Sequence, residues 1–139
     1  APTVDLVLCV GDVVDGEGVA TSWSRADLEQ LTQRTETLPI ACVEGWSASA
    51  EWTGVRLRDL LDAAGVPTGT DLRMVSLQKR YAFGVTELQG NFADADKTLI
   101  ALKLNGEDLS LDHGYPARLI APNRPGVLQT KWLTSVEVI

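Results

Sequence analysis

The first residues of the chain alternate between apolar and polar side chains, with four apolar positions at every second residue between 4 and 10. This period predicts a strand with one buried face. The segment 11–18 is rich in glycine and acidic residues and is typical of a turn. A second strand is predicted over residues 19–23, and it pairs with the first as a hairpin.

Two short helices are predicted from capping residues and from apolar spacing. Ser24 can cap the free amides of a first helix, and Asp27 lies favourably in its first turn. Leu28 and Leu31 give this helix an apolar side. Apolar residues recur at helical spacing over residues 57–64, and a glycine and then a proline follow, as expected where a helix ends.

Strands are predicted to make up most of the remaining chain. Apolar runs predict them over residues 38–43, 71–77, 81–85, 98–104, 117–121 and 133–139. Asn105-Gly106 is a turn signal. Without an internal repeat or linker, the sequence predicts a single α+β domain over residues 1–139, with a mixed, mainly antiparallel sheet and few short helices.

Charge and composition exclude several classes of function. The 139 residues include 12 basic and 19 acidic side chains, a net charge of −7, which argues against a nucleic-acid partner. No apolar stretch approaches the length of a membrane-spanning helix. With two cysteines and one histidine, a structural zinc site or a disulfide framework is not expected.

Cys42 is the first candidate for chemistry, because it lies at the end of an apolar run, just before the turn-forming segment 44–47. A cysteine in this place can be a small buried hydrophobe, or a thiolate ligand for a soft metal. It can also be a nucleophile, for which His113 is the base that the sequence offers. Cys9 lies inside an alternating strand, where a structural role is predicted.

Three donor-rich loops follow one another near the end of the sequence. The first runs from His113 to Arg118, the second covers residues 122–126, and the third covers residues 129–132. Arginine offers a planar fork of donors that suits phosphate or carboxylate. The loops could converge on one anion, or they could form an ordinary polar end of a sheet.

The order and spacing of these segments resemble the sulfite oxidase-like molybdopterin-binding oxidoreductase family. Residues 40–47 resemble the family segment that bears the molybdenum-ligating cysteine, and residues 52–61 resemble the helix after it. Residues 105–109, 113–119 and 131–133 resemble the family's later turn and cofactor-binding segments. The resemblance spans nearly the whole chain.

The resemblance implies a set of cofactor ligands in this chain. Cys42 would give a thiolate to molybdenum, whose other sulfurs come from the dithiolene of one pterin. His113 and Arg118 would bind the pterin and its phosphate, and Lys131, with the backbone of Gln129 and Thr130, would hold the phosphate end. The resemblance also assigns tuning of the metal to Glu44 and Trp46, and a pterin contact to residues 77–79.

The implied reaction is oxygen-atom transfer with a small-molecule oxo-donor or oxo-acceptor, with electrons exchanged with a haem partner. The resemblance places such a protein on the extracytoplasmic face of a bacterial membrane or in the periplasm. Family members have further residues before this segment, so the chain is expected to be a fragment of a longer one. Leu128 and Pro125 depart from the family pattern, which leaves the substrate open, with Arg124 a weak candidate for contacting it. The alternative is an interaction module that keeps the fold without the cofactor.

Overall fold

A computed structural model of the chain describes residues 7–11, 20–41, 47–77, 84–122 and 129–138. Within these ranges the strands, in chain order, are β1 (Val7–Gly11), β2 (Ala20–Ser24), β3 (Arg34–Ala41), β4 (Ser47–Arg56), β5 (Leu72–Ser76), β6 (Val85–Leu88), β7 (Leu99–Leu104), β8 (Glu107–Asp108), β9 (Arg118–Ile120) and β10 (Leu133–Val138). The helices are α1 (Arg25–Gln30), α2 (Leu57–Ala63), α3 (Gly90–Ala93) and a 3₁₀ helix, Leu111–His113.

The strands form two sheets. The first has the order β2-β1-β10-β5-β6, and its pairs are antiparallel except for β1 and β10, which run parallel. The second has the order β3-β4-β7-β8, with β9 also paired to β7, and all its pairs are antiparallel. The predicted α+β class with a mixed, mainly antiparallel arrangement and few short helices is therefore confirmed.

Strand β7 forms the shared wall of two hydrophobic clusters, because alternate side chains of a strand point to opposite faces. Ile100 and Leu102 join a core that takes side chains from both sheets and from α1 and α2. Leu99 and Ala101 join a second cluster, which contains Trp52 of β4 and lies on the other face of the second sheet. Strand β9 shows the same alternation, with Leu119 in the first cluster and Ile120 in the second.

Both predicted helices are present. Ser24 caps α1, and it forms a reciprocal capping box with Asp27. Leu28 is fully buried, whereas Leu31 ends the helix and is 37% exposed, so the prediction that it contributes an apolar face was wrong. The cause is that the helix is only six residues long, and Leu31 lies past its last turn.

Several elements differ from the sequence prediction. The ten-residue strand β4 was not predicted, and neither were α3 and the 3₁₀ helix. β6 begins at Val85, where the predicted strand 81–85 ends, and residues 81–83 of that prediction lie outside the described residues. In the described ranges, no helix combines the length and apolarity needed to cross a membrane.

Candidate functional site

The loop before β9 is shaped by a short 3₁₀ helix and a glycine. Ser110 caps the helix, and its side chain accepts a hydrogen bond from the backbone N–H of His113 at 3.3 Å. Gly114 then ends the helix with a φ of 112°, in the left-handed region that favours glycine. A Cβ at Gly114 would lie 2.9 Å from the Cβ of Arg118 and 3.2 Å from that of Lys131. Glycine therefore allows the two segments to approach.

The segment 129–132 lies directly beside this loop and is joined to it by backbone hydrogen bonds. The N–H of Leu119 donates to the carbonyl of Thr130 at 2.8 Å, and the N–H of Trp132 donates to the carbonyl of Gly114 at 3.3 Å. The indole N–H of Trp132 donates to the carbonyl of Leu111 at 2.7 Å. The structure thus brings the first and third predicted donor-rich loops together.

Arg118 is the first residue of β9, and it is buried, with 5% exposure, where residues 111–118 meet residues 129–132. Its Nη1 donates to the carbonyl of His113 at 3.1 Å and its Nη2 to the carbonyl of Gln129 at 3.3 Å. Its guanidinium also lies over the ring of Trp52, 4.9 Å from the ring centroid. One side chain therefore connects both loops to the second hydrophobic cluster.

The charge of Arg118 is not balanced by a carboxylate in the described part of the chain. Desolvation by burial lowers the pKa of Arg118 to about 10. Buried cations are normally paired, because removing a charge from water is costly. An arginine held in this state favours the arrival of an anion.

Lys131 adds a second cation to the same place. Its pKa is lowered, first by desolvation and then by the positive charge of Arg118, while Asp112 acts in the opposite direction. Like charges are rarely gathered in an acidic protein without a purpose for the positive potential. The Arg118–Lys131 pair is therefore the strongest candidate for an anion site in the described residues.

Gln129 and Thr130 are oriented by their own side chains toward the protein. The Thr130 hydroxyl is 3.0 Å from the hydroxyl of Thr86 on β6, and Thr130 is 2% exposed. The side-chain carbonyl of Gln129 accepts a hydrogen bond from the N–H of Ala121 at 3.3 Å. The side-chain oxygens of both residues are therefore engaged within the protein, as are their carbonyls, which accept from Arg118 and from the N–H of Leu119.

Arg25 is a contributor that the sequence did not reveal. From the first turn of α1, its Nε donates to the carbonyl of Pro116 at 3.1 Å, and its Nη2 donates to the carbonyl of Leu102 at 2.9 Å. It also pairs with Asp108 and lies 5.1 Å from the centroid of the Tyr115 ring. The carbonyls at the two ends of the loop are thus held by two arginines from different elements.

Cys42 lies outside the described residues, as do Glu44, Trp46, residues 78–79 and Arg124. Cys42 is nevertheless bonded to Ala41, the last residue of β3, and β3 extends past Leu104, the last residue of β7. β9 begins at Arg118, and the loop before it runs toward the same end of the sheet. The neighbour of Cys42 and the His113 loop therefore share one end of this sheet.

Comparison with known proteins identifies related chains. The family described as "Oxidoreductase molybdopterin binding domain" matches residues 8–139. Sulfite oxidase of Arabidopsis thaliana is 33% identical over 114 residues, which cover 68% of this chain and 29% of the plant protein. Mitochondrial sulfite oxidase of Homo sapiens is 29% identical over 127 residues, which cover 78% of this chain and 21% of the human protein.

A solved structure shows the same fold. The sulfane dehydrogenase SoxCD from Paracoccus pantotrophus superimposes with a TM-score of 0.80 at 25% identity, covering 96% of this chain and 38% of that chain. This chain spans less than a third of the length of the two sulfite oxidases. The similarity covers nearly all of this chain and a limited portion of each relative.

Proposed function

Because the chain belongs to the oxidoreductase molybdopterin binding domain family, we propose that it holds a molybdenum-molybdopterin cofactor at the junction of residues 111–118 and 129–132. Cys42 is the proposed thiolate ligand of the metal. His113 and Arg118 are the proposed contacts of the pterin and its phosphate, and Lys131, with the backbone of Gln129 and Thr130, is the proposed holder of the phosphate end.

The observation that carries this proposal is the buried Arg118 beside Lys131. Arg118 is 5% exposed and its guanidinium has no carboxylate partner among the described residues. After desolvation, its charge is the second cause of the lowered pKa of Lys131. A phosphate monoester carries the negative charge and the oxygen acceptors that such a pair lacks. The donor set in this place therefore fits the anionic end of the cofactor.

The residues of the chain have distinct tasks in this proposal. Arg118 is buried, so an anion that reaches it meets a positive charge that solvent screens little. Gly114 keeps the two loops close enough for their donors to act on one ligand. Arg25 holds the carbonyl of Pro116 and so limits the movement of the loop. The site is organised before the ligand arrives, which reduces the entropy lost on binding.

When bound, this cofactor would supply oxygen-atom transfer coupled to a two-electron change, with a small molecule as oxo-donor or oxo-acceptor and a haem protein as electron partner. The proposed location is the extracytoplasmic face of a bacterial membrane or the periplasm. Fractionation of the source cells, followed by detection of this chain in each fraction, tests the location. A strictly cytoplasmic chain contradicts it.

Molybdenum content per chain, measured by elemental mass spectrometry, tests the proposed cofactor. The chain, and any longer natural chain that contains it, would be produced in a host that makes the cofactor. We expect near-stoichiometric metal, lost in Cys42→Ser and retained in Cys9→Ser, the matched control on β1. A metal-loaded Cys42→Ser protein contradicts the assigned ligand.

Two outcomes would favour the other functions. Absence of molybdenum from every form of the wild-type chain would favour a cofactor-free interaction module that keeps the fold. Rapid, selective alkylation of Cys42 that depends on His113, again without metal, would favour a cysteine nucleophile. Thiol reactivity and metal content therefore separate the three functions in one set of preparations.

A further inference from the structure

Ser110 contacts His113 at two points. Its hydroxyl oxygen accepts the backbone N–H of His113 at 3.3 Å, and the same oxygen lies 2.7 Å from Nδ1 of the imidazole ring. The carbonyl of His113 is held separately by Arg118. Backbone and ring of this histidine are thus fixed from both sides, although the side chain itself is exposed.

The hydrogen-bond inventory of Ser110 favours one arrangement of protons. A serine hydroxyl has one proton to donate and two lone pairs. One lone pair accepts the N–H of His113, which leaves the hydroxyl proton for Nδ1, the ring nitrogen 2.7 Å away. The separation of 2.7 Å is that of a short, well-formed hydrogen bond.

We propose that Ser110 is a positioning residue that holds neutral His113 in the tautomer with its proton on Nε2. In this tautomer Nδ1 is occupied as an acceptor, and Nε2–H is a donor that has no partner among the described residues. His113 then recognises a ligand oxygen and does not accept a proton from the ligand. This assignment of the ligand rests on the function proposed above, whereas the tautomer itself does not.

Physically, the tautomer determines what the site can bind. An oxygen on the pterin or the phosphate is an acceptor, so it pairs with Nε2–H and is repelled by a bare ring nitrogen. The second nitrogen of a histidine commonly determines which nitrogen is protonated. Ser110 therefore acts on the cofactor through His113 and touches no reacting atom.

Nitrogen-15 NMR of the imidazole tests the tautomer directly. His113 is the only histidine in the sequence, so its ring signals need no assignment by mutation. We expect the Nε2–H tautomer to dominate in the wild-type chain and in Ser110→Thr, which keeps a hydroxyl. A wild-type ring with its proton on Nδ1 overturns the proposal.

Ser110→Asp separates positioning from simple helix capping. Aspartate still caps the backbone N–H of His113, but its carboxylate can only accept, so it favours a proton on Nδ1. We expect this variant to unfold at nearly the wild-type temperature while its tautomer, measured at a pH where the ring is neutral, changes to Nδ1–H. An unchanged tautomer in Ser110→Asp overturns the proposal, because the hydroxyl would then have no influence on the ring.

Cofactor retention after dialysis tests the consequence for binding. One hydrogen bond lost corresponds to about threefold to tenfold weaker retention in Ser110→Asp, with Ser110→Thr close to wild type. In a His113→Ala background, Ser110→Asp should have no further effect. An equal loss in both backgrounds contradicts action through His113. A wild-type chain without molybdenum contradicts the proposed function instead, and the NMR result still decides the tautomer.

Discussion

Replacing Arg118 by methionine should remove anion binding while lowering the free energy of unfolding only slightly. Methionine keeps an unbranched side chain that can pack on the ring of Trp52, but it has no charge and no donors. Arg118 has two roles that this variant tests. It connects the two loops through the carbonyls of His113 and Gln129, and it attracts an anion.

Opposing contributions determine the size of the effect on stability. The lowered pKa of Arg118, about 10, corresponds to about 3 kcal/mol of unfavourable desolvation that the variant would regain. Against this, two charge-assisted hydrogen bonds to the carbonyls of His113 and Gln129 are lost, each about 1.5 kcal/mol, together with a third that is too long at 3.5 Å, to the carbonyl of Leu119, to contribute much. A cation–π contact of about 1 kcal/mol is lost as well. The expected net destabilisation is about 1 kcal/mol.

Arg58→Met is the matched control, because Arg58 is also buried but is paired with Asp62 and Asp94. Its removal leaves Asp94 without its cation, and we expect a loss of about 3 kcal/mol. Urea unfolding measures both variants, and elemental mass spectrometry measures their molybdenum.

Of the two variants, Arg118→Met should be the more stable. It should also retain the cofactor at least tenfold more weakly than wild type, because one charge-assisted contact to the anion is lost. The reverse order of stabilities would refute the desolvation argument. Retention equal to wild type would refute the role of Arg118 in anion binding.

Three further perturbations test the same site. Gly114→Ala should lower the free energy of unfolding by about 2 kcal/mol, because φ at this position is 112° and the new Cβ would lie 2.9 Å from a neighbouring side chain. Gly106→Ala, which has open space around its new Cβ, should lower it by about half as much. Arg25→Met should lose about 1 to 2 kcal/mol and some molybdenum, since the carbonyl of Pro116 loses its donor. Because desolvation and the charge of Arg118 lower the pKa of Lys131, cofactor retention should begin to fall at a pH below that of an ordinary lysine, and Lys131→Arg, which stays charged, should shift this fall upward. Equal losses in the two glycine variants, full metal content in Arg25→Met, or identical pH profiles would contradict the respective arguments.

Elements with a local chemical cause were predictable from the sequence. The capping residue Ser24 placed the start of α1, the Asn105-Gly106 turn placed the end of β7, and Arg118 was expected at the start of β9. These features depend on side chains within a few residues of one another. The association of the His113 loop with residues 129–132 followed from resemblance and not from local pattern.

Elements stabilised by distant partners were not predictable. The first half of β4 reads Ser-Ala-Ser-Ala-Glu, which contains no strong strand former, and its pairing with β3 is what makes it a strand. Arg25 gave no signal either, because its contacts with Pro116 and Leu102 join residues far apart in the sequence. The contact between Ser110 and His113 could have been predicted from the sequence, because a serine three residues before a histidine has the spacing of a helix N-cap.

The parallel pair of β1 and β10 has a consequence for biosynthesis. Cys9 pairs with Ser135, and β10 lies in the middle of its sheet between β1 and β5. During translation, β1 and β5 leave the ribosome without the strand that joins them, and Lys131 emerges just ahead of that strand. Since non-local strand pairing is slow, the sheet and the anion site should form together and late. Insertion of the proposed cofactor is therefore expected to follow synthesis of this segment.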